Sequence, residues 1–128
     1  MVVLNRVMYV DDEEDLRSIV EMSLQMVGGM EVHLCTSGQE ALARLPEIRP
    51  DLVLLDVMMP NMDGLQTLEA IRATPDFANL PVVFMTAKIR PTEVARLRDL
   101  GAADVIAKPF DVMQLPDQVR EIWSRLQT

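Results

Sequence analysis

"DLVLLDVMMP", Asp51 to Pro60, decides how the rest of the chain is read. Its first six residues, "DLVLLD", are apolar without a break between two acids. That is strand length, and unbroken apolarity is what a strand covered on both faces requires. Pro60, Asn61 and Gly64 follow at once and encode turning chain. Asp56 therefore closes a buried strand. A carboxylate among apolar neighbours is costly unless its pKa shifts or a counter-charge reaches it. Its partners must come from other parts of the chain.

Working outward, short apolar runs alternate with segments of helical period. "RVMYV" (Arg6 to Val10) reads as a first strand, and Leu16, Ile19, Val20, Leu24 and Val27 as one face of a helix stopped by Gly28-Gly29. "MEVHLC" (Met30 to Cys35) alternates as a second strand. Ala41, Leu42, Leu45 and Ile48 give a second helix, ended by Pro46 or Pro50. After the Asp51–Asp56 strand, Leu65, Leu68 and Ile71 mark a third helix, and "PVVFMT" (Pro81 to Thr86) a fourth strand. Val94 and Leu97 belong to a short fourth helix, with Pro91 near its start and Gly101 just past its end. "DVIA" (Asp104 to Ala107) is a fifth strand, and Leu115, Val119, Ile122, Trp123 and Leu126 form a last helical stripe. That helix starts just after Asp111, with Pro116 in its second turn, or begins near Pro116, where proline suits the first position. Strands alternating with helices mean an α/β fold with a parallel sheet and right-handed crossovers.

The 128 residues are enough for one domain with a real core, read as residues 1-128 with a structured core over about 4-126. The net charge of −8 leaves no basic footprint, which argues against direct nucleic-acid binding and against an anionic membrane surface. One cysteine, Cys35, allows no internal disulfide. No apolar run reaches membrane-spanning length and the N-terminus turns acidic within ten residues, so a soluble cytoplasmic protein is expected. Cys35 reads as a small core residue, His33 as structural or solvent-facing, and Met58 and Met59 as packing. Glu13, Glu14 and Asp15 read as a helix start favoured by its dipole.

Ligands of open parallel sheets bind beyond the carboxyl ends of the strands. Strand one ends in Asp11-Asp12, strand three in Asp56, strand four in Thr86 and strand five in Lys108-Pro109. Taken singly, each has a plainer role: Asp11-Asp12 as helix caps, Asp56 as the cap of a turn, Lys108 as a solvated strand end, Thr86 as an ordinary strand residue. Coincidence of all four at one edge is far less economical. Two carboxylates about 5 Å apart repel by ~3 kcal/mol at an effective dielectric of ~20, so the cluster must hold a proton or a cation. Oxygen-only donors favour Mg²⁺. Acids, a metal, a lysine and a hydroxyl make a site for a phosphoryl group, with a carboxylate as the only credible nucleophile. With one His and one Cys, neither at a strand's carboxyl end, a hydrolytic triad is improbable.

"YVDDEEDLR", "DLVLLDVMMPNMDGL", "PVVFMTA" and "GAADVIAKPF", in this order and spacing, resemble the receiver domain of two-component response regulators over essentially the whole chain. The resemblance implies a doubly wound, flavodoxin-like (βα)5 sheet of order 2-1-3-4-5. It implies that Asp56 accepts a phosphoryl group from a histidine kinase or phosphotransfer protein. It implies Mg²⁺ held by Asp11, Asp12 and Asp56 with the Met58 backbone carbonyl, Asp12 being the more direct ligand of the pair. Thr86 is then the switch hydroxyl, Lys108 the phosphate-pairing lysine, Ala87 the small neighbour that leaves room, and Lys108–Pro109 a cis bond. Such a protein is a regulator rather than an enzyme, promoting only its own phosphorylation and dephosphorylation. It would address a downstream partner or effector domain through the face of helix four, strand five and helix five, as a monomer or a phosphorylation-dependent dimer, stand-alone or within a longer protein. One position departs from the family: Val105 stands where many receivers carry Tyr or Phe. With that ring missing, activation is expected to run through Thr86 and the loop "AKIRPTE" (Ala87 to Glu93), with Val105 nearly passive. Two other readings remain: a Mg²⁺-dependent phosphohydrolase using the same residues, which lacks a general acid two residues after Asp56 because Met58 stands there, and a non-phosphorylated interaction module that keeps only the fold, against which the complete acid pair, Asp56, Thr86 and Lys108 argue.

Overall fold

The computed structural model describes residues 3–87 and 90–127. Its five strands are β1 (Arg6–Val10), β2 (Glu31–Cys35), β3 (Leu52–Asp56), β4 (Val82–Thr86) and β5 (Asp104–Ala107). The helices between and after them are α1 (Glu14–Met22), α2 (Gly38–Ile48), α3 (Gly64–Arg72), α4 (Pro91–Asp99) and α5 (Leu115–Leu126). The strands are all parallel, in the order β2-β1-β3-β4-β5. Every residue of β3 and β4 is buried, which is why their sequences run apolar instead of alternating.

Side-chain alternation along the strands divides the core in two. Met8, Val10, Val53, Leu55, Val82 and Phe84 pack beneath α2, α3 and α4, against Leu45, Leu68, Ile71 and Leu97. Val7, Tyr9, Leu52, Leu54, Val83, Met85 and Ile106 face α1 and α5, against Val20, Leu24, Leu115, Val119 and Ile122. Cys35 is fully buried, and burial lifts its thiol pKa to about 11, as a packing residue requires. His33 is half-buried on the edge strand, its ring nitrogen 2.7 Å from the Glu31 carboxylate.

Several boundaries differ from the periodicity. α1 passes into a π-helical turn, Ser23–Val27, before Gly28 ends it. There the buried Ser23 hydroxyl donates to the Val112 carbonyl at 2.5 Å, tying the turn to the loop after β5. Pro46 does not end α2 but lies inside it. Proline removes one ladder hydrogen bond, a loss tolerable this near the end. The stop comes at Arg49, left-handed with φ 49° just before Pro50, its N–H donating to Leu45. Pro116 occupies the first turn of α5, so the later of the two possible starts is the one adopted. Met58 does not pack: its side chain is exposed, while Met59 is buried.

Candidate functional site

Strand register explains how the acids meet. Val10 lies opposite Leu55 in the β1–β3 pair, so one step further on Asp11 comes beside Asp56. β3 must then turn sharply away, and Gly64 allows it. A Cβ there would lie 2.4 Å from the Asp56 carbonyl oxygen and 2.9 Å from the Phe84 ring. α3 can therefore start against the end of β3 only with glycine at this position. Its cap is Asp63, in a reciprocal box with Gln66. Capping of α3 thus falls to Asp63, while the Asp56 carboxylate accepts the Met58 N–H inside the turn.

Nor do Asp11 and Asp12 simply cap α1. Glu13 is the cap residue and makes no side-chain cap bond. Asp11 is fully buried, and its Oδ1 accepts the Glu13 N–H at 3.0 Å. One oxygen from each of Asp11, Asp12 and Asp56 lies within 4.8 Å of the others. Lys108 Nζ reaches into this group, 3.0 Å from Asp56 Oδ1 and 3.3 Å from Asp11 Oδ2. The cis Lys108–Pro109 bond expected from the resemblance is present. Ala87 lies beside Lys108 on the wall of a largely apolar hollow that Leu16, Ile19 and Phe110 also line.

The charges balance unevenly. Burial pushes the Asp56 pKa above the usual carboxylate range; the Lys108 hydrogen bond and the Met58 N–H pull it back, and the Asp11 charge adds to the rise. Burial alone would lower the Lys108 pKa, but the bond to Asp56 and the charges of Asp11 and Asp56 outweigh it, so the ammonium is held above its ordinary value. One firm cation faces three carboxylates. The surplus is negative and the donors are oxygen only, which fits a hard divalent cation such as Mg²⁺.

Thr86 belongs to the other face of the sheet. It is buried and lines a cavity of about 270 Å³ with Val57, Met58, Leu65, Glu93, Arg96 and Leu97, between the β3–α3 turn, α3 and α4. Val105, next to Phe84 in register, is half-buried on that same side. Lys88 and Ile89, in the loop expected to carry activation, lie outside the described residues.

Two participants escaped the sequence reading. Arg17 Nη1 donates to the Asp11 carbonyl at 2.9 Å, and the Tyr9 hydroxyl donates to Asp11 Oδ2 at 2.5 Å. Tyr9 and Asp11 are two apart on one strand, so parity alone places them on the same face.

A flavodoxin-like sheet with acids, a lysine and a hydroxyl at its carboxyl edge defines a class of phosphoryl-handling proteins. Comparison narrows the class. The family model of the response regulator receiver domain matches residues 7–120. The response regulator MprA of Mycolicibacterium vanbaalenii is 38% identical over 120 residues, covering 94% of this chain and 51% of that protein. The regulatory protein AtoC of Escherichia coli is 35% identical over 115 residues, covering 90% of this chain and 24% of that one. Among solved structures, the chemotaxis response regulator CheY4 of Vibrio cholerae aligns with a TM-score of 0.86 at 29% identity, covering 94% of this chain and 99% of that one. The chain belongs to the response regulator receiver domain family and is a phosphoacceptor switch of two-component signalling. It spans about half the length of its MprA relatives. Among the described residues, no helix is long and apolar enough to cross a membrane.

Proposed function

We propose that Asp56 is the phosphoacceptor. The observation that carries this is Lys108 Nζ held between Asp56 and Asp11 at the carboxyl edge of the sheet. A carboxylate oxygen of Asp56 attacks the phosphorus of a phosphohistidine. The P–N bond breaks, its electron pair stays with the imidazole, and an acyl phosphate forms. Lys108 then faces the new phosphoryl oxygens, and Thr86 supplies a second donor from the α4 side.

Asp12 and Asp56, with the Met58 carbonyl, would hold Mg²⁺ directly. Asp11, whose two oxygens already accept from Glu13, Tyr9 and Lys108, would orient the site. When bound, the ion neutralises the phosphoryl oxygens. The exposed thioether of Met58 offers no acid to a leaving group, so steady hydrolysis of external phosphate esters is not expected. The chain promotes only its own phosphorylation and dephosphorylation.

The donor is a sensor histidine kinase or phosphotransfer protein. The output passes through the α4–β5–α5 face to a protein partner or effector domain, in the cytoplasm, with the chain monomeric or dimerising on phosphorylation. Incubation with acetyl phosphate and Mg²⁺ should add one phosphoryl mass to the wild type and none to Asp56→Ala. A stable adduct on Asp56→Ala would place the acceptor elsewhere.

A further inference from the structure

Tyr9 is the chain's single tyrosine and lies fully buried among the aliphatic side chains between the sheet, α1 and α5. A buried phenol is tolerated when its hydroxyl finds a partner. Here that partner is Asp11 Oδ2, which also accepts from Lys108 at the longer distance of 3.3 Å. Lys108 is closer to Asp56, at 3.0 Å. Burial, reinforced by Asp11, moves Tyr9 ionisation far above its ordinary range, so the hydroxyl stays a donor.

An ammonium shared by two carboxylates goes to the one whose lone pairs are less well met. We propose that Tyr9 is a positioning residue for phosphorylation: by occupying Asp11 Oδ2, it limits the hold of Asp11 on Lys108 and leaves the ammonium at Asp56. This rests on the reading of Asp56 as acceptor. In Tyr9→Phe the ring and its packing remain, and the donor goes. Buried Asp11 Oδ2 then has only Lys108 to satisfy it, and the ammonium moves toward Asp11 and away from the arriving phosphoryl group.

Phosphorylation by acetyl phosphate, followed by intact mass across a Mg²⁺ series, separates this role from a structural one. Tyr9→Phe should lose about tenfold in the saturating rate, the scale of one displaced charge-assisted contact. Its half-saturating Mg²⁺ should not rise, since the acids keep their charge. Without metal or phosphodonor, the Lys108 Nζ resonance should shift between the two chains. Equal rates, or a rate loss matched by a raised Mg²⁺ requirement, overturn the inference. No adduct on the wild type overturns the reading of Asp56 and this inference with it; adducts at equal rates overturn this inference alone. Should Tyr9→Phe not fold, 3-fluorotyrosine labels Tyr9 alone in the wild type. Its fluorine resonance should move when Mg²⁺ and beryllofluoride draw Lys108 away from Asp11, and a stationary signal overturns the proposal.

Discussion

Lys108 is the residue on which the resting site depends. Among the described ion pairs its ammonium is the one cation bonded to the carboxylates of the cluster, close to both Asp11 and Asp56, whereas Arg17 bonds only the Asp11 backbone carbonyl. Removing one partner of a buried pair leaves the other charge uncompensated, which costs more than the pair itself contributes. Lys108→Ala should therefore lose ~1–3 kcal/mol of apo stability in urea unfolding. Added Mg²⁺ should restore more stability to this variant than to the wild type, because it replaces the missing positive charge. An equal Mg²⁺ effect on both proteins would mean that Lys108 is not the main counter-charge. The members of this site were legible because strands run one way and their ends share an edge. Tyr9 was less so: within a strand, a tyrosine reads as apolar bulk, and its hydroxyl acquires a role only once its face is matched to that of Asp11.

Among the elements, α4 is held at one end. Asp104, buried at the start of β5, accepts from Arg98 of α4 and from Arg125 of α5, each at 2.7 Å. This end lies opposite the acid cluster. α4 borders the cavity that Thr86 lines through Glu93, Arg96 and Leu97. On the proposed reading, in which a phosphoryl group on Asp56 draws Thr86 toward it, the start of α4 should move more than its end, which Asp104 holds. Thr86→Ala should accept phosphate yet lose most of the amide shifts in α4 on beryllofluoride binding. Val105→Ala should keep them, since a half-buried valine has little bulk or rotamer freedom to follow. The reverse pattern would sink this account of the switch. Burial alone would raise the Asp104 pKa, but the Arg98 bond, the Val105 N–H and Arg125 hold it below the usual carboxylate range. A depressed pKa stabilises above the unfolded value of ~3.9, and that stability is lost as pH falls through the folded value. Asp104→Asn should therefore cost ~1 kcal/mol at pH 7, a modest figure because both arginines are about half exposed, and the gap should close in acid. Element types were legible throughout, whereas boundaries were less so. The π turn and the stop at Arg49 rest on the Ser23–Val112 bond and on a left-handed residue, neither of which periodicity encodes.

At the scale of the whole molecule, periodicity says which segments are strands but not which are neighbours. The order β2-β1-β3-β4-β5 was expected only through the family resemblance, and on that order the site depends. Placing β1 next to β3 turns two unrelated strand ends into one crowded cluster of like charge, in a chain already at −8. Folding must bring Asp11, Asp12 and Asp56 within 4.8 Å of one another, and the unfolded chain has no such cost. A cation that binds the folded cluster and not the open chain stabilises by mass action. At about ten times its Kd, Mg²⁺ should add ~1.4 kcal/mol and raise Tm by ~5 °C for a chain of this size. Asp12→Asn removes one charge from the exposed side of the cluster. It should melt at or above the wild type without metal, because repulsion is lower from the start. It should then gain little from Mg²⁺ and take up no phosphoryl group. The sign separates this from ordinary damage, since a variant that merely loosened the fold would melt lower in both conditions. Calorimetric melts of the two proteins across a millimolar Mg²⁺ series check it, and a wild-type Tm that stays flat through that series would remove the metal from this site.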